Sequence, residues 1–395
     1  MQNAFDIKFV HMLAGNIALH RPARIGVSNF FFISGLCFAT WAARIPDIQH
    51  HLNLSEAALG SVLFASPVGS MLCLPLAGFL VTRFGSRNCL LAGSFIYAVI
   101  LCCIGLVDTV WQLVAALFFF GMAGNLMNIS VNTQAVGVEA LYKRSIMASF
   151  HGLWSLAGFT GAAIGTLMVS QGISPLHHFI LVASLMIIAV IIFFRHTLRE
   201  DDHGREKTKF QFKWSNIKSV ITLGIIAFCC MGCEGCMFDW SGIYFRDIVK
   251  APSYLVTVGY TVFMATMATG RFIADTMVTK FGATRVLQAS GTLITTGLLT
   301  AVIFPNIYAA AFGFFLTGFG VSSVVPLSYG LAGKSTKLSA GIAISLVSSV
   351  GFLGFLFGPP IIGYIAEALS LQWSFGLMAI IGFGTAVLAS NAKVE

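Results

Sequence analysis

Arg83-Phe84-Gly85-Ser86-Arg87 closes the second apolar stretch of the chain, and Lys280-Phe281-Gly282-Ala283-Thr284-Arg285 closes the eighth, 197 residues later. Offsets of 197 to 199 residues also carry Trp41 and Gly60 onto Trp240 and Gly259, and Gly121 onto Gly318. One plan is written twice. A repeat of this length in an apolar chain predicts two six-helix halves about a central axis, the architecture of a membrane carrier.

Composition agrees: 57% of residues are hydrophobic and 10% charged, far from the balance of a soluble domain. A helical span needs roughly 20 mostly apolar residues. Twelve spans can be placed, at about 24–45, 57–81, 89–107, 110–137, 146–169, 177–195, 219–243, 254–278, 286–304, 306–332, 340–366 and 373–391. The expected fold is an all-α membrane protein with two pseudo-symmetric bundles, residues 1–196 and 219–395. The polar run from Arg199 to Lys207 lies in the linker between them, 197–218. The first apolar run has full span length and no small-residue cleavage site, so it should stay as the first helix.

Charge fixes the orientation. With both termini inside, the inner segments hold most of the 23 basic residues and leave Arg44, Arg246, Lys250 and Arg271 elsewhere. This is the positive-inside pattern of a multi-pass inner-membrane protein with cytoplasmic termini. It accounts for the net charge of +8 through the lipid bilayer, without a nucleic-acid partner.

Cys229, Cys233 and Cys236 fall on one face of the seventh span, where small residues favour close helix packing over a metal or redox site. His50-His51 and His177-His178 fall in outer connections and are expected to be solvated. No metal or other cofactor is expected.

Gly78-Phe79-Leu80-Val81-Thr82-Arg83-Phe84-Gly85-Ser86-Arg87 resembles the inner-loop signature of the major facilitator superfamily, with Thr82 where that signature has aspartate. The second copy, Gly270 to Asp275, keeps a carboxylate four residues after Arg271. The resemblance implies that Arg83, Arg87, Arg271 and Asp275 act as a conformational latch, Arg271 pairing with Asp275 along its helix. A finer resemblance runs through Ala42–Ile48, Asn132–Ala135, Ser149–Leu156, Asp239–Asp247 and Gly354–Pro360. In that order these segments are similar to the MosC-like branch, named for a rhizopine permease and related to fucose permease. Where that branch often carries aspartate on the fourth span, this chain has Asn128. Membership implies secondary transport of a small solute, often with protons.

The residues themselves supply candidates. Asn125, Asn128 and Asn132 form a polar stripe on the fourth span, and buried amides need partners. His151, Trp154 and Ser155 share one face of the fifth. An aromatic platform beside amides and a histidine suits a sugar-like ring. Trp240 and Tyr244, in the motif on the seventh span, complete the expected solute contacts. Glu234 lies about 15 residues into the seventh span, roughly 22 Å deep. A charge there costs on the order of 2.5–3.5 kcal/mol, which makes Glu234 the leading proton carrier, with Asp239 and His151 as further candidates. Arg44 and Asp239 fall at the outer ends of pseudo-equivalent helices, so they are expected to pair as an outer gate, with Arg246 and Asp247 as alternative partners.

The expected function is alternating-access secondary transport of a small polar organic solute, sugar- or inositol-like, with proton coupling, by a monomer. The rivals are proton-driven efflux of amphipathic toxic compounds and a ligand sensor that does not transport. No P-loop and no recognised nucleophile motif occurs, so neither an ATPase nor an enzyme is expected.

Overall fold

The computed structural model of the chain describes residues 2–142, 146–199, 218–333 and 340–391, and at 2–19, 148, 218, 275, 340–342 and 391 the backbone alone. The predicted linker, over 200–217, lies outside the described residues. The first half comprises α1 (Gln2–Ala42), α2 (Ile45–His51), α3 (Glu56–Leu63), α4 (Ala65–Phe84), α5 (Ser86–Ile104), α6 (Val110–Tyr142), α7 (Met147–Ser170) and α8 (Pro175–Phe193). The second comprises α9 (Lys218–Ile243), α10 (Val258–Phe281), α11 (Ala283–Ile303), α12 (Ile307–Gly333), α13 (Ala340–Ala368) and α14 (Leu371–Asn391). With α3 and α4 as one span bent at Phe64, and α2 a short helix after α1, the described residues make the twelve expected spans. Eleven are long and apolar enough to cross a membrane by length and composition. The twelfth is α10, whose apolar character Arg271, Asp275 and Lys280 dilute.

The repeat persists down to the backbone. α4 and α5 meet at Gly85 (φ 81°, ψ 150°), and α10 and α11 at Gly282 (φ 83°, ψ 153°). Each glycine N–H donates to a carbonyl four residues back, Val81 at 3.0 Å and Val278 at 2.8 Å. A positive φ is strained for any residue with a Cβ, which is why both copies of the motif carry glycine. Trp41 and Trp240 are likewise both buried.

Helix starts are capped as the sequence dictates. Ser55 accepts from the Ala58 N–H, and Ser174, ahead of Pro175, accepts from His177. At α7 the Glu139 carboxylate reaches back from α6 to the N–H groups of Ile146 and Met147, at 2.7 and 2.8 Å. Those donors have no partner within their own helix. In lipid, helices gain little from apolar contact alone and rely on close fit and hydrogen bonds. Accordingly the Cys230 thiol donates to the Val321 carbonyl on α12, and Cys233 to Met378 on α14.

The end of the bundle that carries Arg83, Arg87, Lys280 and Arg285 is here termed the basic end, and the other the far end. At the far end the halves are tied. Arg246 donates to the Pro46 carbonyl (2.8 Å) and to Gln49 Oε1 (2.6 Å), Glu367 accepts from the Ala57 N–H (2.9 Å), and Ser61 bonds Tyr364 (3.1 Å). Thr166 bonds both Thr257 and Thr261. α3 and α13 touch backbone to backbone, since a Cβ added at Gly60 would stand 3.1 Å from the Gly363 Cα. Among the described residues, the hydrogen bonds between the halves run from this end down to Arg271 and Ser155. Nearer the basic end, Phe79, Phe84 and Phe272 are exposed.

Candidate functional site

Arg271 stands on α10 ten residues before its basic end, so about 15 Å into the bundle. Its Nη1 donates to the Ser155 hydroxyl on α7, and its Nη2 to Glu234 Oε1 on α9 at 3.2 Å. Ser155 spends its own proton on the His151 carbonyl (3.1 Å), which leaves its oxygen free to accept. The guanidinium lies over the Trp154 ring, 5.7 Å from its centroid, a cation–π contact that strengthens where water is scarce. The Arg271 and Glu234 side chains are 17% and 6% exposed. One cation thus bridges the two halves at the depth where an unpaired charge is most costly.

The expected Arg271–Asp275 pair along α10 lies partly beyond view. The Asp275 side chain lies outside the described residues, and the Arg271 guanidinium is committed to Glu234 and Ser155. Glu234 is buried, and its ion-pair partner is Arg271, the residue expected to pair along α10.

One turn beyond Glu234, Phe238 packs edge-on against Phe38 of α1 (5.2 Å between centroids) and stacks on Phe355 of α13 (6.1 Å). Phe38 also lies 6.2 Å from Trp154. These rings, drawn from both halves, close the site toward the far end. No periodic signal marks them among the 36 phenylalanines of the sequence. Toward the basic end His151 is exposed although it packs against Phe31 at 5.2 Å and interacts electrostatically with Arg271. Tyr329 of α12 donates to Ser348 of α13 at 3.1 Å and lies within electrostatic range of Glu234.

The asparagine stripe is more self-contained. Asn132 donates to the Asn128 carbonyl (2.8 Å) and to its Oδ1 (3.2 Å), Asn128 is exposed, and Asn125 Oδ1 is buried with no hydrogen-bond partner. Among the described residues no hydrogen bond joins this stripe to His151, Trp154 or Ser155.

Several expected roles move. Trp240 and Tyr244 belong to the core of the second half. Tyr244 donates to the Ala301 carbonyl at 2.8 Å and packs on Phe375 at 4.4 Å. Trp240 is fully buried, and Tyr244 is directed to α11 and α14. Arg44 does not pair with Asp239. It binds Asp47 (2.7 Å), His178 Nδ1 (3.1 Å) and the Ile173 carbonyl (2.7 Å), all within its own half. Asp239 lies instead within electrostatic range of Tyr260 on α10. His178 is therefore buried, not solvated. The cross-half link falls to Arg246, held by Asp247 at 2.7 Å. Arg83 rests on the Phe79 and Phe84 rings, and Arg87 on Phe194 at 4.5 Å, both within the first half. An apolar groove of about 750 Å³ between α4, α5 and α6 is lined by exposed side chains such as Leu76, Ile96 and Phe119. It lies on the outer wall of the first half, away from Glu234 and Arg271.

The comparisons with known proteins fit this arrangement. The family model "Major Facilitator Superfamily" matches residues 27–259 and 251–392. An MFS-type transporter of Yersinia pestis is 33% identical over 353 residues, 89% of this chain and 91% of that protein. Membrane protein MosC of Rhizobium meliloti is 29% identical over 365 residues, 91% and 87% of the two chains. The crystal structure of the nucleoside transporter NupG superposes with a TM-score of 0.73 at 12% identity, over 94% of this chain and 98% of that one, a likeness of fold. Repeat, twelve-span architecture and matches over nearly the whole length agree: the chain is a multi-pass membrane protein and belongs to the major facilitator superfamily.

Proposed function

We propose that the chain is a secondary transporter that moves a small polar organic solute, sugar- or inositol-like, across the inner membrane by alternating access, with the basic end and both termini in the cytoplasm. The single observation that carries the reading is the bridge Glu234–Arg271–Ser155. It is a buried set of exchangeable polar bonds at the seam of two repeated halves, beneath a lid of aromatic rings and beside an exposed histidine. Structural glue at such depth is made more cheaply by small or amide side chains. An ion pair is retained where one partner must be released and regained.

Proton coupling follows from the same pair. When solute competes for Arg271, Glu234 loses its counter-charge, and a proton replaces it. The far-end ties through Arg246, Glu367 and the Gly60–Gly363 contact then belong to the state open to the cytoplasm, and they must part for the site to face the other side. Asn128 and His151, both exposed, line the approach.

Reconstituted proteoliposomes test the reading. With an imposed pH gradient and a panel of labelled sugars, inositols and sugar acids, one class should accumulate above its external concentration. Binding without accumulation would identify a sensor. Accumulation of amphipathic cations alone would move the function to efflux.

A further inference from the structure

The geometry points to a carboxylate on the solute: Arg271 receives a hydroxylated acid of the sugar-acid type along the guanidinium edge that Glu234 now occupies, and the acid crosses together with one proton. The inference rests on the transport reading above and narrows its substrate class.

Three observations carry it. The first is the unused edge. Nη1 of Arg271 is engaged by Ser155, Nη2 by Glu234, and Nε is buried with no partner. Nε and Nη2 form one edge of the planar guanidinium, and that edge matches the two oxygens of a carboxylate. Glu234 uses it through a single oxygen, at 3.2 Å. A second carboxylate that takes both donors makes the better contact and displaces Glu234.

The second observation is charge. The empty site holds one cation and one anion, both almost withdrawn from water. If a neutral polyol displaced Glu234 and the acid took up a proton, an uncompensated guanidinium would remain in the membrane interior. If no proton were taken up, two separated charges would remain. Either outcome is costly at this depth. With a solute carboxylate on Arg271 and a proton on Glu234, the loaded site is neutral, as the empty one is. Charge balances: RCOO⁻ and H⁺ enter together, the proton forms an O–H bond on Glu234, and Arg271 stays protonated throughout. The remaining groups add no charge that alters this sum. Those facing Glu234 are Tyr329 from α12 and Cys230 from its own helix, while His151 from α7 faces Arg271. Among the described residues, the ring contacts of α1 with this region are made by Phe31 and Phe38, and α13 presents Phe355 and the Ser348 hydroxyl.

The third observation is the platform. Trp154 lies under the guanidinium, so a carboxylate held in the guanidinium plane places the carbon skeleton attached to it alongside the indole. The Tyr329–Ser348 pair and His151 lie within reach of hydroxyls on that skeleton. A hydroxylated acid uses all of these groups, whereas a plain fatty acid would leave them unpaired.

The experiment is calorimetric titration of the detergent-purified full chain with gluconate, galactonate and glucuronate, against glucose, galactose and myo-inositol. It is run in two buffers of different ionisation enthalpy to count protons. At least one acid should bind with uptake of about one proton, while its neutral counterpart binds about tenfold more weakly or not at all. In Glu234→Gln, whatever its affinity for the acid, binding should no longer take up a proton. Arg271→Lys, which keeps the charge but not the fork, should weaken the acid about tenfold or more. Because an isolated Arg271 change risks misfolding, the charge-neutral double variant Arg271→Gln/Glu234→Gln serves as a second test. It should fold and bind no acid. Neutral sugars binding as tightly as the acids, with affinity kept in Arg271→Lys, would overturn the inference and leave the transport reading standing. No binding by either class would overturn both.

Discussion

At the scale of single residues, depth was the most reliable guide and motif the least. Glu234 could be placed far along the seventh span from its sequence position, and its side chain is buried against Arg271. The same arithmetic applied to Arg271, about ten residues from the end of α10, would have set it at comparable depth and suggested that the two charges meet. The resemblance of Gly270–Asp275 to a latch drew attention to Asp275 as the partner of Arg271 instead. His151, Trp154 and Ser155 were legible because three polar or aromatic residues on one face of an apolar helix need a reason. A motif in sequence does not say which way its helix faces, and Tyr244 bonds Ala301 and packs on Phe375. The aromatic lid of Phe38, Phe238 and Phe355 was invisible among so many phenylalanines. The present geometry predicts that Trp154→Ala removes the surface beneath Arg271 and weakens solute binding by about 1–2 kcal/mol, roughly five- to thirtyfold in Kd. Titration of the purified variant measures this, and unchanged affinity would remove Trp154 from the site.

At the scale of elements, the motif that revealed the repeat proved to be a joint. Gly85 and Gly282 share one left-handed backbone conformation and turn one helix into the next with no intervening loop. Gly282→Ala should therefore lower stability by about 1–2 kcal/mol, read as a fall in melting temperature with the solute affinity of the folded protein preserved. A rise in melting temperature would mean that the joint relaxes without strain. The far-end contact was only half legible. Small residues were evident on both sides, but the Arg44–Asp239 gate failed because His178 and Ile173, from the same half, reach Arg44 first. Arg246 makes the link across the seam. Arg246→Ala removes two hydrogen bonds from a charged donor, about 3–6 kcal/mol in all, and should favour the state open at the far end. Spin labels placed across the seam at that end should then show a longer distance population than in the wild type. An unchanged distribution would assign Arg246 to local packing.

At the scale of the whole molecule, two repeated halves, tied to each other at the far end among the described residues, suit a device with two equivalent ways to close. The composition, span count, repeat and basic asymmetry already implied this architecture, because lipid restricts a chain of this kind to helices. What the chain carries could not be read from those features, since the same fold hosts many cargoes. The proposal for it rests on the few polar bonds at the seam. Adding solute together with protons should shorten label distances across the basic end and lengthen them across the far end in the same sample. Motion at one end alone would argue against a rocking exchange of access. The central claim is that Glu234 carries the proton that couples to the solute. Its most direct test compares two fluxes of Glu234→Gln in proteoliposomes, exchange of labelled for unlabelled solute and accumulation driven by a pH gradient. The account predicts that exchange persists while accumulation disappears, and accumulation that survives the substitution would contradict it.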